Sequence, residues 1–493
     1  MSWAYCRRRA LAAACVAAFC IGPSIALAEP WATVGDAQLR SDIEILAAAG
    51  VVDGITMTWP LPWTRILSRL QRPDALDDQP DYVRDAAARV RKRGLAEASP
   101  YQHRLTASLD AASGASVIRG FDALGRQSLE GQLAYDELWS TTAIHIAIGL
   151  RTSSHGDRSM AVLDNTYIAQ EVGHAVVYAG FVTHWWGPGW ISALSLSNNA
   201  RPMPQIGIAR MDTAPSDSPW LSWLGPWQAE FFVGLLNGPR INRNTIYSGF
   251  RLGINPLPGL EIGLARTTEI CGSGHPCSPL DYFQISNDPK QVNATNDQGN
   301  IDLRYSHSFG HWSYAVYAQF MNEDTNPVIH SGTSHLVGAT LWSPLSDDMA
   351  RMTVEYTDSV ATRDIWGAGT LHGVAYNNTG YPDGMRYRGQ SLGFSLDSDS
   401  RLLSVQASIS DAGARSIVLT YHHADISTDR NTEPNVVTTA PVALNMVQAR
   451  LGLPFYLRGQ SARLDLEVRY QDDQPRPDKG ALAQIEVALR LPI

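Results

Sequence analysis

Two periods divide the chain. Between residues 29 and 100 the apolar residues recur at helical spacing. Leu39, Ile43, Leu46 and Ala47 share one face of Asp36 to Ala49, and Gly50 is placed to end that helix in a left-handed turn. Trp59-Pro60-Leu61-Pro62 breaks the chain, Trp63 to Leu70 predicts a second helix, and Asp81 to Arg93, with Tyr82, Ala86 and Val90 on one side and a basic last turn, predicts a third. From Tyr101 onward the period is two. The clearest alternating runs are Thr141 to Leu150, Trp227 to Leu236, Leu260 to Arg266, Ile301 to Phe309, Trp312 to Met321, Met352 to Thr357, Leu402 to Ile409, Ile417 to His422, Val442 to Leu451, Leu464 to Tyr470 and Leu482 to Leu491. In the last, Ile485, Val487, Leu489 and Leu491 share one face, and Gln484, Glu486 and Arg490 the other.

A soluble sandwich alternates as well, so further signals have to decide the class. The strands are many and of uniform length, the face opposite the apolar one carries charge, and Tyr356, Trp366, Tyr376, Tyr381 and Tyr387 gather near strand ends. Short connections (255–259, 310, 343–348) alternate with long ones (269–299, 323–333, 359–388). This predicts a mainly β protein, a large antiparallel transmembrane β-barrel over residues 101–493 that is apolar outside and polar inside, preceded by a small α-helical unit, residues 29–100. Counting yields about nineteen candidate strands where a single-chain barrel has an even number, so an error of one, a strand missed or one split in two, is expected between 359 and 424. The same ambiguity puts the 359–388 loop outside when counted forward and inside when counted back. The last residue, Ile493, departs from the aromatic end usual in such barrels.

Composition narrows the setting. With 44% hydrophobic and only 18% charged residues, and no uninterrupted apolar run beyond the first thirty positions long enough for a membrane helix, any membrane contact must come from strands. Arg7-Arg8-Arg9, the apolar stretch Ala10 to Ile21 and Ala26-Leu27-Ala28 read as a secretory leader, residues 1–28. Its removal takes three arginines and no acid, which moves the formal charge from −9 to −12 and argues against generic nucleic-acid binding. Lysine occurs only at 92, 290 and 479, so positive charge is mostly arginine, suited to bidentate recognition. Cys6, Cys15 and Cys20 lie in the leader; Cys271 and Cys277 remain and predict a loop disulfide rather than a metal site, since with His275 they lack a fourth ligand.

Several motifs could carry chemistry. Gly389-Gln390-Ser391-Leu392-Gly393 matches a nucleophile elbow, yet its glycines fall in an alternating strand that runs on through Phe394 and Leu396 with no helix after it. Glu171, His174 and His184 fit no ligand spacing, and His422 and His423 must point to opposite faces of one strand. No metal and no cofactor is expected. Two segments suit sugar binding, where flat apolar faces stand beside bidentate hydrogen-bonding groups. The first is Thr183-His184-Trp185-Trp186-Gly187-Pro188-Gly189-Trp190, followed by Asn198-Asn199-Ala200-Arg201-Pro202; the second is Asn377 to Gly389, with Tyr381, Arg386 and Arg388. Both read equally well as scaffold.

Together these residues resemble the capsule-assembly Wzi family of outer-membrane proteins. The resemblance rests on Leu39-Arg40-Ser41-Asp42-Ile43 with Thr58-Trp59-Pro60-Leu61-Pro62-Trp63, on Trp186-Gly187-Pro188 leading to Leu196-Ser197-Asn198-Asn199-Ala200-Arg201-Pro202, and on Tyr381 to Gly389. It implies an eighteen-stranded, largely plugged barrel with the α-helical bundle, residues 29–100, at its periplasmic mouth, acting as a lectin for capsular polysaccharide. The ligand-binding residues expected are Trp185, Trp186, Trp190, Asn198, Asn199, Arg201, Tyr381, Arg386 and Arg388. The partners expected are capsular or exopolysaccharide, outer-membrane lipid and the polysaccharide export machinery, with the barrel a monomer and not an enzyme. A channel for small solutes and a barrel glycosidase or deacetylase are the rival readings.

Overall fold

Eighteen antiparallel strands close into one barrel in the computed structural model, which describes residues 30–71, 76–98, 103–153, 160–278, 295–323, 332–429, 435–457 and 460–493. The expected leader, residues 1–28, lies outside them. In chain order the strands are β1 (His103–Ala112), β2 (Leu129–Leu138), β3 (Thr142–Arg151), β4 (Tyr167–Val172), β5 (Ala175–Gly180), β6 (Gln205–Arg210), β7 (Trp227–Leu236), β8 (Thr245–Leu257) and β9 (Leu260–Ile270). There follow β10 (Thr295–Phe309), β11 (Trp312–Glu323), β12 (Thr333–Leu345), β13 (Asp348–Thr362), β14 (Arg401–Ser410), β15 (Ser416–Ile426), β16 (Val442–Leu457), β17 (Gln460–Gln471) and β18 (Leu482–Pro492). β18 pairs with β1, from Glu486 opposite Ala112 to Pro492 opposite Thr106, so the sheet has no open edge.

Alternation does what the pattern demands. Along β18, Ile485 and Val487 face out while Gln484 and Glu486 are buried in the lumen. Ile148, 58% exposed, and Val354, 39% exposed, belong to an outward apolar band that also holds Val316 and Val468, a surface suited to hydrocarbon. Trp139, Phe309, Trp312 and Tyr456 stand exposed at strand ends on the side where β1 begins and β18 ends, here called the terminal mouth; such rings suit the membrane–water interface.

Connections at the terminal mouth are tight (139–141, 173–174, 258–259, 310–311, 346–347, 411–415), except for 211–226. Those at the opposite, distal mouth are long, above all 113–128, 181–204 and 363–400. The 359–388 segment therefore belongs to the distal side, as the forward count had it. The surplus strand is Gly389 to Leu396: Gln390–Ser391 pairs only with Arg386–Tyr387, and every residue from Ser391 to Ser400 is buried, so this segment has no lipid-facing half. Tyr376, Tyr381 and Tyr387, expected near strand ends, are likewise buried inside this folded-in connection.

The lumen of so wide a barrel cannot be filled by wall side chains alone. From the terminal mouth it is filled by α1 (Ala37–Ala48), α2 (Trp63–Leu70) and α3 (Asp81–Glu97). Asp36 caps α1 by accepting the Leu39 N–H at 3.0 Å. The helix is buried from Leu39 to Ala48 because its polar side meets a polar wall. Trp342 Nε1 donates to Ser41 Oγ at 2.8 Å, the Tyr82 hydroxyl lies 3.0 Å from Ser313 Oγ, and Glu261 accepts the backbone N–H groups of Thr56 and Met57 at 2.8 and 3.1 Å. Burial pushes the Glu44 carboxyl up, but Arg304 and Arg40 outweigh it and hold the group below its ordinary range.

Val354→Arg, which places a charge in the middle of the outward band, is expected to cost about 2–4 kcal/mol of folding stability, read as a lower urea midpoint for refolding into vesicles. Asp411→Ala, in a terminal turn, leaves that midpoint unchanged. An unaltered midpoint for the Val354 variant would mean that the band does not face lipid.

Candidate functional site

The tryptophan-rich segment runs from the distal mouth down to the plug. Trp185–Trp186 pairs antiparallel with Thr58–Trp59 of the plug, Trp185 opposite Trp59, and Trp186 bridges to Leu196. Between them the chain reverses at Gly187-Pro188-Gly189, and a side chain at Gly189 would stand 2.1 Å from the Ser192 carbonyl oxygen, so only glycine fits. Arg40 of α1 grips this turn: its guanidinium donates to Gly189 O at 2.9 Å, to Pro188 O at 2.7 Å and to Glu44 Oε1 at 2.8 Å. Trp190 takes the guanidinium of Arg40 over its ring at 4.4 Å and that of Arg351 at 3.7 Å, contacts that strengthen once water is excluded. From the wall, Glu355 accepts the backbone N–H groups of Trp190 and Ser192, each at 2.7 Å, and the Tyr317 hydroxyl at 3.1 Å. Gln319 accepts from Leu194 N at 2.8 Å and donates to Trp186 O at 3.1 Å.

The other expected ligand residues join the same framework. Asn198 donates to Phe121 O at 3.0 Å in the 113–128 connection, and Asn199 to Ser391 O at 2.9 Å in the 363–400 connection. Arg201 forms a bidentate pair with Asp164, Nη2 to Oδ1 at 2.7 Å and Nε to Oδ2 at 3.1 Å. Arg386 pairs with Asp397 at 2.9 Å and donates to Asn377 at 2.7 Å. Cys271 and Cys277 are joined by a disulfide, and the small loop so closed lays His275 flat on Tyr381, ring centroids 4.1 Å apart, while the Tyr381 hydroxyl donates to Cys271 O at 3.1 Å. Arg388 is part-exposed at the distal surface, where it donates to Asn237 Oδ1 at 3.3 Å and lies over the Tyr387 ring.

Trp185, Trp186 and Trp190 are at most 1% exposed, and Asn198, Asn199, Tyr381 and Arg386 are also buried, so none of these seven offers a face to an external polymer. Their role in this structure is to moor three distal connections to the wall and to the plug. Arg201 and Arg388 are part-exposed, Arg201 committed to Asp164 and Arg388 to Asn237. The histidines do not converge. His184 is buried 3.0 Å from Glu230, His174 pairs with Asp212 at the terminal side, His422 faces in toward Ser404, and His423 faces out toward Asn445. Ser391 lies in the folded-in connection, its hydroxyl accepting the Gly393 N–H at 3.3 Å. Burial lowers the pKa of the Arg119 guanidinium to about 10 in a small cleft between the 113–128 connection and β14–β18.

The sequence reading missed Arg40, Gln319 and Glu355 as anchors. Their only signal was an amide or acid on the inward face of a strand and an arginine on the polar side of an amphipathic helix. Glu355→Ala leaves the amides of Trp190 and Ser192 without their acceptor, at roughly 1–3 kcal/mol per buried donor. Hydrogen exchange at residues 190–192 should then accelerate by about tenfold or more while exchange in β7 and β8 stays unchanged. Equal protection in both forms would show that the loop is held elsewhere.

Comparison with known proteins places this architecture. The Capsule assembly protein Wzi family matches residues 99–475. A Klebsiella pneumoniae protein described as an uncharacterized 55.8 kDa protein in the cps region is 24% identical over 313 residues, a match covering 62% of this chain and 60% of that relative's length. Among solved structures, the Escherichia coli Wzi barrel, described as a carbohydrate-binding outer membrane protein involved in group 1 capsule assembly, is similar with a TM-score of 0.78 at 20% identity, over 94% of this chain and 99% of that one. The chain belongs to the capsule assembly protein Wzi family.

Proposed function

We propose that this protein is an outer-membrane, lectin-like barrel that holds capsular or another surface polysaccharide at the cell surface without altering it chemically. The observation that carries the reading is the mooring of the long distal connections to the lumen through Arg40, Glu355 and Trp190, which presents a fixed surface on one face of a membrane-embedded wall. A polymer gains affinity from such a surface because little of it has to be ordered on binding. Family membership and the carbohydrate binding ascribed to the Escherichia coli barrel support the same reading. In it the plug, residues 29–100, faces the periplasm and is placed to meet polysaccharide export machinery, and the closed β18–β1 seam suits a monomer.

Cells deleted for the protein should release surface polysaccharide into the medium, and restoring the wild-type chain should return it to the cell. Purified protein in a planar bilayer should pass little steady current, and polysaccharide incubated with it should keep its chain length and acetyl content. Unchanged retention in the deletion strain would end the anchoring reading; a steady current would move the function to solute passage, and shortened or deacetylated chains to catalysis.

A further inference from the structure

Across β12–β15 four outward residues stand directly opposite one another, His335 with Asp358, Asp358 with Arg401, and Arg401 with Asp425. Arg401 Nε is 3.1 Å from Asp358 Oδ2, and the apolar stripe of Val354 and Tyr356 stops at this row. Charged side chains are disfavoured against hydrocarbon, so the row marks the distal limit of the lipid-facing zone.

Beyond it β13 turns back on itself. Thr362 pairs with Thr370 and Ala361 with Leu371, and the Arg363 N–H reaches the carbonyls of Ala368 and Gly369, each at 3.0 Å. Asp364 Oδ1 accepts the N–H groups of Trp366 and Ala368 at 2.9 and 3.0 Å, and Gly367 adopts φ +89°, a conformation open to glycine. A contact of 3.1 Å between His335 Nε2 and Ile365 O fastens the hairpin to the rim. The tip is thus held by its own backbone pairings and hydrogen bonds, yet its largest side chain stands open: Trp366 is 87% exposed. Arg363, exposed beside it, lies across Gly369 and makes no side-chain hydrogen bond or ion pair among the described residues.

We infer that this hairpin is a polysaccharide contact, with the Trp366 indole stacking on the C–H face of a sugar ring and the Arg363 guanidinium taking the carboxylate of a uronic acid unit. The assignment rests on the glycan-holding reading above and gives it a place and a ligand class. The hairpin lies distal to the lipid limit, which separates Trp366 from the interfacial rings at the terminal mouth. Arg363, with no acidic partner among the described residues, favours an anionic group by local pairing, against the long-range effect of the chain's net charge of −9. A phosphate-rich lipid headgroup would call for several uncommitted cations, whereas Arg401 in the row below is already paired with Asp358.

The test uses the full-length mature protein in detergent and the purified surface polysaccharide of the strain that carries it, both intact and after carbodiimide activation and borohydride reduction of its carboxylates to neutral sugars. Heat-modifiable gel migration establishes that each variant is a folded barrel. Trp366→Ala should weaken binding of the intact polymer by about tenfold, with Trp366→Phe retaining most of it. Arg363→Gln should weaken binding of the intact polymer but not of the reduced one, which the wild type should already bind less well. If the wild type binds and Trp366→Ala binds equally, the hairpin is not the contact. If reduction of the carboxylates changes nothing, the uronate assignment falls, and a Trp366→Ala effect confined to lipopolysaccharide micelles would overturn it in favour of lipid. Failure of the wild type to bind either polymer defeats the glycan-holding reading itself.

Discussion

The rest of the structure depends on how the inward face of the barrel is satisfied. Glu261, Glu355, Arg251, Asp302, Arg304 and Arg351 all project from strands into a space without bulk water access, and an unpaired polar group there is costly. The wall cannot pair with itself throughout, since strand neighbours on one face stand at fixed spacing and many of their hydrogen-bonding directions aim at the axis. The chain supplies the missing partners from both ends. The plug brings Arg40, Glu44 and the backbone of Thr56 and Met57, and the distal connection brings the amides of Trp190 and Ser192.

Where the two fillings meet, each needs the other. Arg40 belongs to the plug but spends two donors on carbonyls of the distal turn; Trp185 and Trp59 come from opposite mouths and lie opposite one another in a two-residue sheet. A distal surface built this way inherits its order from the interior, and its loops do not carry the ordering cost when a ligand arrives. The disulfide acts in the same sense, since the loop closed by Cys271 and Cys277 covers Tyr381 and so fixes one corner of the 363–400 connection.

Much of the scaffold was legible in the sequence. Trp63 to Leu70 and Trp227 to Leu236 coincide with their elements, and the Asp81 to Arg93 helix was short by one turn. The errors share a cause. β13 runs from Asp348 to Thr362 where alternation marked only Met352 to Thr357, because beyond Asp358 the strand is covered on both faces and Val360 and Ala361 are buried together. In Gly389 to Leu396 the apolar positions alternate without a lipid-facing side, so a period of two was present without a barrel strand. Both motifs proposed for sugar lie in buried, hydrogen-bonded connections, and their composition could not say which partner they meet. Indole faces, amides and bidentate arginines serve a polar barrel wall with the same geometry that they would offer a saccharide.

Ligand capacity in a plugged barrel is therefore a matter of which groups stay uncommitted, and richness in sugar-binding residue types is a poor guide to it. Trp190 has two guanidinium groups over its ring and its backbone N–H held by Glu355, so any ligand would have to displace contacts already made in a dry interior. Trp366 has the opposite economy of contacts, with its backbone tied by Asp364 and its ring open to solvent. Side chains of the same type thus divide by topology. Those on segments that return to the lumen become mortar between wall and plug, and those on a turn that extends a strand past the lipid boundary keep their faces for something outside.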